Sequence, residues 1–383
     1  MKFISKQAVP VALVFIFNGL LFGAWASRVP FIKESFGFSE MQLSALLLLL
    51  AFGAISSFAV AGSMADKVGA SKLSFWLCIL YPFPFALISL SENILLLAIS
   101  LFLFGWVHGA MDVSMNSWGT SIEKQSKKIL MPFFHAMFSF GAGLGAASGV
   151  LAATYHTALF THFIIVSFLV IPICWWLRKH KHLSAVDGVN KVKKASFSFP
   201  KGSLLVVAMV AFSCALGEGA MADWASIYMS SEINSSHAQA ALAYTVFSIF
   251  MVLTRLSGHK IIEILGIVNT VRLCSISSML GALLLVVINN TYVSLFSFSL
   301  LGIGYAILMP LAFSKAAKIN ENNAGAAIAS IAMFAYGGML LGPVLIGVLA
   351  EFLSLKTAFY TFVITSIFVL ICSNYFKEEH EVA

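Results

Sequence analysis

The chain has 383 residues, of which 60% are hydrophobic and only 10% are charged. Its mean hydropathy is +0.94, whereas soluble globular proteins carry roughly 25% charged residues. This composition excludes an ordinary soluble protein and predicts a chain that exposes most of its surface to lipid.

Twelve apolar segments follow one another along the chain, each close to the roughly 20 residues that a membrane-spanning helix needs. We therefore predict an all-α integral membrane protein with about 12 spans and no separate soluble domain. No small-residue cleavage site follows the first apolar run, so we expect a first span and not a signal peptide. The predicted spans are 8–28, 41–62, 73–91, 94–118, 131–154, 159–177, 203–226, 236–256, 269–288, 291–314, 324–350 and 356–376.

The positive charges are distributed unevenly between alternate loops. If the N-terminus is cytoplasmic, all of the 23 Lys and Arg residues except Arg28, Lys33 and Lys356 lie on the cytoplasmic side. This asymmetry is the positive-inside pattern, and it predicts a protein of the cell inner membrane with both termini in the cytoplasm. It also explains the net charge of +7 without a nucleic-acid partner.

The two halves of the chain repeat each other. A basic linker at 178–202 separates a predicted six-helix bundle at 1–177 from a second at 203–383. Four short motifs recur at offsets of 196 to 199 residues, each on the corresponding span, which indicates a duplication with parallel repeats. The pairs are Trp25-Ala26-Ser27 with Trp224-Ala225-Ser226, Phe138-Ser139-Phe140-Gly141 with Phe334-Ala335-Tyr336-Gly337, Val150-Leu151-Ala152 with Val348-Leu349-Ala350, and Phe104-Gly105 with Leu301-Gly302.

The loop between spans two and three carries a family resemblance. It contains Gly62, Asp66, Lys67 and Gly69 in the sequence GSMADKVGASK, which resembles the cytoplasmic signature of the major facilitator superfamily. With the spans and the duplication, the resemblance covers essentially the whole chain and implies two pseudo-symmetric six-helix bundles. We expect the two glycines to allow a tight turn and Asp66 to accept hydrogen bonds from a neighbouring helix N-terminus. Asp66 and Lys67 are the predicted gating residues of this loop.

Four segments are similar to the fucose-permease-like branch of that superfamily and its uncharacterised bacterial inner-membrane relatives. That branch contains proton-coupled sugar symporters with carboxylates in spans one and four. Asp112 matches the acid of span four, while span one contains no carboxylate and offers only Asn18. The resemblance therefore implies proton coupling through Asp112, with a departure from the branch in span one. The four segments are Gly19–Pro30, Gly105–Asn116, Pro132–His135 and Glu218–Trp224.

Polar residues inside the predicted spans are the candidates for function, because an ionisable group in lipid is costly. His108, Asp112 and Asn116 follow one another at intervals of four and share one helix face. We predict proton coupling at Asp112, Glu218 and His135. A structural hydrogen bond for Asp112 and a helix-capping role for His135 are the alternatives.

Other residues are predicted to bind substrate or to gate access. An Arg28–Asp223 contact would form an outer gate, and interfacial anchoring is the alternative for that pair. Aromatic residues in the spans could stack on a sugar ring, although most aromatics in such a chain pack or face lipid. The predicted substrate-binding residues are Asn18, Trp25, His108, Asn116, Tyr305 and Tyr336.

Prolines and glycines indicate how the spans bend and pack. Pro82 and Pro84 are expected to kink span three. Glycines in spans five and eleven are expected to let helices approach closely. They are Gly141, Gly143, Gly145 and Gly149, and Gly337, Gly338, Gly342 and Gly347.

Together these features predict a monomeric secondary transporter that moves a small polar solute, with a sugar favoured, by proton symport and alternating access. No cofactor, metal or ATP site is expected, and the chain is not expected to be an enzyme. A proton-driven efflux antiporter is the main alternative, although the Gly-Pro pair that such pumps carry in span five occurs here only as Gly342-Pro343 in span eleven. A metalloenzyme using His108, Asp112 and His135, and a solute sensor, are weaker alternatives.

Overall fold

The structure is a computed structural model that describes residues 7–126, 130–179, 199–319 and 324–377. All regular secondary structure in these residues is helical. The first half contains α1 (Ala8–Phe36), α2 (Glu40–Val68), α3 (Ala70–Leu80), α4 (Pro82–Ser89), α5 (Ile94–Ser126), α6 (Met131–Thr154), α7 (Leu159–Phe168) and α8 (Val170–Lys179). The second half contains α9 (Ser203–Ser231), α10 (His237–Val287), α11 (Thr291–Ala306), α12 (Leu308–Ile319), α13 (Ala324–Phe352), α14 (Leu355–Ala358), α15 (Tyr360–Ile371) and a 3-10 turn (Cys372–Phe376).

Eleven helical segments among the described residues are long and apolar enough to cross a membrane. One of them, α10, has 51 residues and would extend about 77 Å if straight, more than twice the roughly 30 Å thickness of a bilayer core. Gly266 interrupts it with φ 73° and ψ 166°, a conformation that glycine adopts without steric cost. Thus α10 contains predicted spans eight and nine, and the all-α fold with about 12 spans is confirmed.

The helices begin and break where local chemistry requires. Ser236 and Gln239 form a capping box at the start of α10, which satisfies two backbone N–H groups. Span three is interrupted at Tyr81, since Pro82 cannot donate a helical hydrogen bond, although the backbone of Tyr81 keeps helical angles (φ −59°, ψ −38°) and the predicted kink stays a prediction. The same chemistry, unpredicted, breaks span ten at Ile307, three residues before Pro310.

The chain packs into two compact units. The first comprises Met1–Phe38 and Ala45–Lys191, and the second comprises Ser39–Ser44 and Val192–Ala383. Most of the predicted linker at 178–202, including residues 180–198, lies outside the described residues. Each unit has its own core of small and aromatic side chains.

Matching glycine contacts inside each unit confirm the internal duplication. A Cβ added to Gly105 would overlap the Leu50 carbonyl oxygen, and one added to Gly302 would overlap that of Phe247. Gly302 follows Gly105 by 197 residues, and Phe247 follows Leu50 by the same number. The same shift, within one residue, relates two further contacts between the first and fifth spans of each half. They are Gly141 on Ile16 with Gly338 on Phe212, and Gly145 on Leu20 with Gly342 on Leu216.

One glycine expectation needs correction. The repeat paired Gly141 with Gly337, but an added Cβ on Gly337 would meet nothing within 4 Å. The packing equivalent of Gly141 is Gly338. The short motif match was therefore displaced by one residue, which on a helix rotates a side chain by about 100°.

Candidate functional site

A polar row on α5 is the central feature of the first unit. His108, Asp112 and Asn116 are all partly exposed, as expected for residues that share one helix face. The Asn116 side-chain amide donates to the backbone oxygen of Asp112 at 2.8 Å and to its Oδ1 at 3.0 Å. Asp112 lies about 27 Å along α5 from Ile94, so this row runs through the interior of a 33-residue helix.

His108 is surrounded by aromatic rings. The Tyr81 hydroxyl lies 2.6 Å from His108 Nδ1, and the Phe22 ring stacks on the imidazole with centroids 4.9 Å apart. Phe104 and Phe138 lie within 6.4 Å of the same ring. Phe22, His108 and Phe138 are each partly exposed, so together they present a mainly apolar surface beside the polar row, with the Phe138 ring tilted 53° from the imidazole.

Two predicted substrate contacts in the first unit are fully buried. The Asn18 amide nitrogen lies 3.6 Å from Met115 Sδ, and Asn18 Oδ1 has no hydrogen-bond partner among the described residues. Trp25 packs against Phe104 with ring centroids 6.0 Å apart. Both side chains have 0% exposure, so a solute reaches them only if the unit rearranges.

His135 is the fifth residue of α6 and has an exposed side chain. Its ring meets that of Phe15 edge-on, with centroids 5.6 Å apart. Proton coupling at this residue stays a prediction.

An ion pair in the second unit joins Glu218 to Arg255. The Arg255 Nη2 atom lies 3.1 Å from Glu218 Oε1 and 3.2 Å from Oε2, while Nε donates to the Ala306 carbonyl at 3.2 Å. The Arg255 and Glu218 side chains are only 10% and 16% exposed. Glu218 lies about 22 Å along the 29-residue helix α9, and therefore near its middle.

The role of Arg255 was not predicted from the sequence. The charge pattern placed this residue with the positive charges of the loop after span eight, but the structure places it inside α10, well before the break at Gly266. The sequence did contain a signal for such a partner, because Glu218 lies deep in span seven. A charge buried in a membrane protein is usually paired with a group of opposite sign.

The two predicted tyrosines of the second unit differ in accessibility. Tyr305 is 2% exposed, whereas Tyr336 is 39% exposed. Tyr305 lines a narrow crevice with Ser213, Ser278 and Ser366, and its hydroxyl has no hydrogen-bond partner among the described residues. The crevice leaves no room for a water molecule.

The predicted outer-gate residues are both buried within their own units. Arg28 is 4% exposed and donates from Nη2 to the Thr157 carbonyl at 3.1 Å. Its guanidinium also lies 4.7 Å from the centre of the Phe31 ring. Asp223 is 8% exposed on α9. The Arg28–Asp223 gate stays a prediction.

The signature loop is only partly as expected. Gly69 separates α2 from α3 with φ 94°, so it forms the predicted tight turn. Gly62 does not, because it lies inside α2 and an added Cβ would meet nothing within 4 Å. Asp66 and Lys67 are exposed in the last turn of α2.

No metal site was found within the described ranges, where no group of three or more His, Cys, Asp or Glu side chains comes together. His108 and Asp112 are thus not part of such a group in that portion of the chain.

Comparison with known proteins identifies the family. The family model for the Major Facilitator Superfamily matches residues 11–319 and 207–383, so the chain belongs to this superfamily. It is a multi-pass membrane transporter and not an enzyme. A protein described as an uncharacterized transporter, y4wD of Sinorhizobium fredii, is 37% identical over 91% of this chain and 93% of its own length. The membrane protein MosC of Rhizobium meliloti is 28% identical over 97% and 90%.

Solved structures show the same fold. A point mutant of the nucleoside transporter NupG superimposes with a TM-score of 0.74 over 97% of this chain and 99% of its own, at 11% identity. A bacterial homologue of the human lysosomal transporter Spinster, in an inward-facing and occupied conformation, gives a TM-score of 0.70 at 11% identity, with 97% of each chain covered.

Proposed function

We propose that this transporter carries a small polar solute, a sugar or sugar derivative, together with a proton, and that Asp112 carries the proton. Alternating access would occur between the bundles at 1–177 and 203–383, joined by the linker at 178–202. The protein would act as a monomer in the cell inner membrane with both termini in the cytoplasm. The distribution of Lys and Arg supports that orientation.

The partly exposed polar row on α5 is the observation that carries this proposal. A carboxylate inside a membrane-spanning helix is energetically costly, and such residues usually mark a functional site. Asp112 is accessible enough to exchange a proton with water, and Asn116 donates to its Oδ1 atom. A solute that binds against this row would change the surroundings of Asp112, which is how the two transport events would be coupled.

The sugar preference rests on the surface around His108. Sugar rings bind to proteins through an apolar face and a rim of hydroxyl groups. Phe22 and Phe138 offer rings for the face, while Asp112 and Asn116 offer donors and acceptors for the hydroxyls. The resemblance of this segment to the fucose-permease-like branch favours the same class.

The test is solute-induced alkalinisation of a lightly buffered cell suspension. Solutes would be sugars, sugar acids, nucleosides and lipophilic cations; nucleosides are included because NupG, which shares the fold, is a nucleoside transporter. We expect a sugar or sugar derivative to raise the external pH in cells with the wild-type protein and not in cells with Asp112→Asn.

Glu92→Gln is the matched control, because Glu92 is an exposed acid in the loop before α5. It should respond like the wild type. An equal response in Asp112→Asn would exclude Asp112 from coupling. Protection against lipophilic cations, with no response to any sugar, would instead identify an efflux antiporter.

A further inference from the structure

We propose that Tyr81 fixes His108 in the neutral tautomer that carries its hydrogen on Nε2, and that this N–H group donates to an acceptor oxygen of the transported solute. His108 is then a specificity-determining residue, and Tyr81 is a positioning residue that acts through it. This inference rests on the proposed function and deepens it, because it names a donor that the solute must match.

The Tyr81 hydroxyl selects the tautomer of His108. The Tyr81 side chain is 0% exposed, and the contact with His108 Nδ1 at 2.6 Å is the only hydrogen bond of its hydroxyl within the described ranges. If Nδ1 carried a hydrogen, the tyrosine oxygen would accept it and the buried O–H would have no acceptor, which is costly. If Nδ1 is bare, the hydroxyl donates and both groups are satisfied. The hydrogen of the neutral imidazole therefore lies on Nε2.

The Nε2 atom lies on the accessible side of the imidazole. The two ring nitrogens point in nearly opposite directions, so Nε2 points away from Tyr81. The His108 side chain is partly exposed. Nε2 itself has no hydrogen-bond partner among the described residues and is not one of their buried unpartnered atoms. It is therefore available to donate to a bound solute.

The imidazole is held in a fixed orientation. Phe22 stacks on it with centroids 4.9 Å apart and an interplanar angle of 20°, which fixes the plane of the ring, while the hydrogen bond to Tyr81 fixes its rotation within that plane. Tyr81 is held in turn by Phe17, edge-on at 6.2 Å, and by Phe104 at 5.4 Å. A donor that is oriented before binding loses little freedom when the solute arrives.

The other two residues of the polar row offer mainly acceptors. An ionised Asp112 carboxylate only accepts hydrogen bonds. The Asn116 amide nitrogen already donates to the backbone oxygen and to Oδ1 of Asp112, so Asn116 Oδ1 remains as an acceptor. A sugar hydroxyl both donates and accepts. His108 therefore supplies the donor of the row, and the row would recognise a solute that turns an acceptor oxygen towards His108 and hydroxyl hydrogens towards Asp112 and Asn116.

Nitrogen NMR measures the tautomer without any solute. Full-length protein with isotope-labelled histidine is reconstituted in lipid, and the His108 signals are identified by their loss in His108→Phe. We expect a bare Nδ1 and a hydrogen on Nε2 in the wild type, and an additional population with the hydrogen on Nδ1 in Tyr81→Phe. The matched control is Tyr228→Phe, which removes another buried hydroxyl, bonded to the Leu285 carbonyl at 2.6 Å, and should leave the His108 signals unchanged. A hydrogen on Nδ1 in the wild type, or identical spectra for Tyr81→Phe and the wild type, would overturn the role of Tyr81.

Sugar analogues test the contact with the solute. The probes are glucose, galactose and their monodeoxy and deoxyfluoro analogues, and binding is measured as the ligand-induced rise in melting temperature of purified protein over a titration. A deoxy analogue lacks one hydroxyl oxygen, whereas a deoxyfluoro analogue keeps a weak acceptor there but no donor. At one ring position we expect the wild type to bind the deoxy analogue about tenfold more weakly than the parent sugar, with the deoxyfluoro analogue between them. In His108→Phe, which keeps an aromatic ring without a donor, the parent and that deoxy analogue should bind equally.

The remaining variants separate a contact with the solute from a structural hydrogen bond. Tyr81→Phe should weaken binding of the parent sugar about 3- to 10-fold and that of the deoxy analogue less. The double variant Tyr81→Phe/His108→Phe leaves no unpaired hydroxyl, so it provides the test even if His108→Phe folds poorly. Tyr228→Phe should keep the wild-type ratio between parent and analogue. A structural hydrogen bond would weaken all analogues equally. That result, or the absence of any position that depends on His108, would overturn the inference.

Solute-induced alkalinisation distinguishes this inference from the proposed function. Asp112-dependent proton uptake with a sugar, together with equal analogue ratios in wild type and His108→Phe, would overturn the inference and leave proton symport standing. A His108-dependent ratio without proton uptake would refute proton symport and leave the role of His108 standing. Binding of none of these sugars would overturn both the solute contact and the sugar preference, and the nitrogen spectra would still decide the role of Tyr81.

Discussion

The glycine contacts between α9 and α13 give a sharp test of the fold, through the neighbouring substitutions Gly338→Ala and Gly337→Ala. The Cβ of an alanine at 338 would overlap the Phe212 carbonyl oxygen, and it would lie 3.0 Å from the carbonyl carbon and 3.1 Å from Leu216 N. Carbon atoms in good contact are about 3.5–4.0 Å apart. The two helices must therefore separate by roughly 0.5–1 Å. Each pair of atoms that such a gap separates loses about a quarter to a half of its van der Waals attraction.

The expected energies follow from this geometry. Overpacking of this kind costs about 1–3 kcal/mol, while both alanines gain about 1 kcal/mol of helix propensity over glycine. Gly337→Ala has open space and should keep that gain. We expect Gly338→Ala to be less stable than Gly337→Ala by about 1–3 kcal/mol.

The assay is thermal unfolding of purified protein in detergent, followed by tryptophan fluorescence. Gly338→Ala should melt below Gly337→Ala, and the latter at or above the wild type. Equal melting temperatures for the two variants would refute the close contact between α9 and α13.

Two further predictions concern stability in the same assay. Trp224 Nε1 donates to the Pro343 carbonyl at 2.8 Å, whereas Trp25 Nε1 has no partner among the described residues. Trp224→Phe should therefore cost about 0.5–1.5 kcal/mol more than Trp25→Phe, and equal losses would contradict the hydrogen bond. Gly69→Ala should destabilise the protein by about 1–3 kcal/mol, because φ at residue 69 is 94°. An unchanged melting temperature would show that this turn can adopt another conformation.

Much of the fold could be predicted because it depends on local sequence. Runs of apolar residues define the spans, and Pro82 has no N–H wherever it lies, so the break between α3 and α4 followed from the sequence. Pro310 carries the same signal in span ten, where the break at Ile307 was not predicted. The one-residue error at Gly337 arose because a motif match does not state which helix face packs.

The candidate site was less predictable because its partners are distant in sequence. The polar row of α5 follows from spacing within one helix. The contact between Tyr81 and His108 depends on how α3, its break and α5 pack together, and sequence spacing does not report that. Arg255 lies at the end of predicted span eight, at 236–256, and was counted with the positive charges of the following loop, whereas the helix continues well beyond it.

Proton-driven accumulation in proteoliposomes tests the central claim most directly. Purified wild type and Asp112→Asn would be compared in two modes with the solute found by alkalinisation: uphill uptake driven by an inward proton gradient, and exchange of labelled for unlabelled solute without a gradient. We predict that Asp112→Asn loses uphill uptake and retains exchange, because solute binding and alternating access survive while the proton carrier is gone. Uphill uptake by Asp112→Asn at the wild-type level would contradict the account.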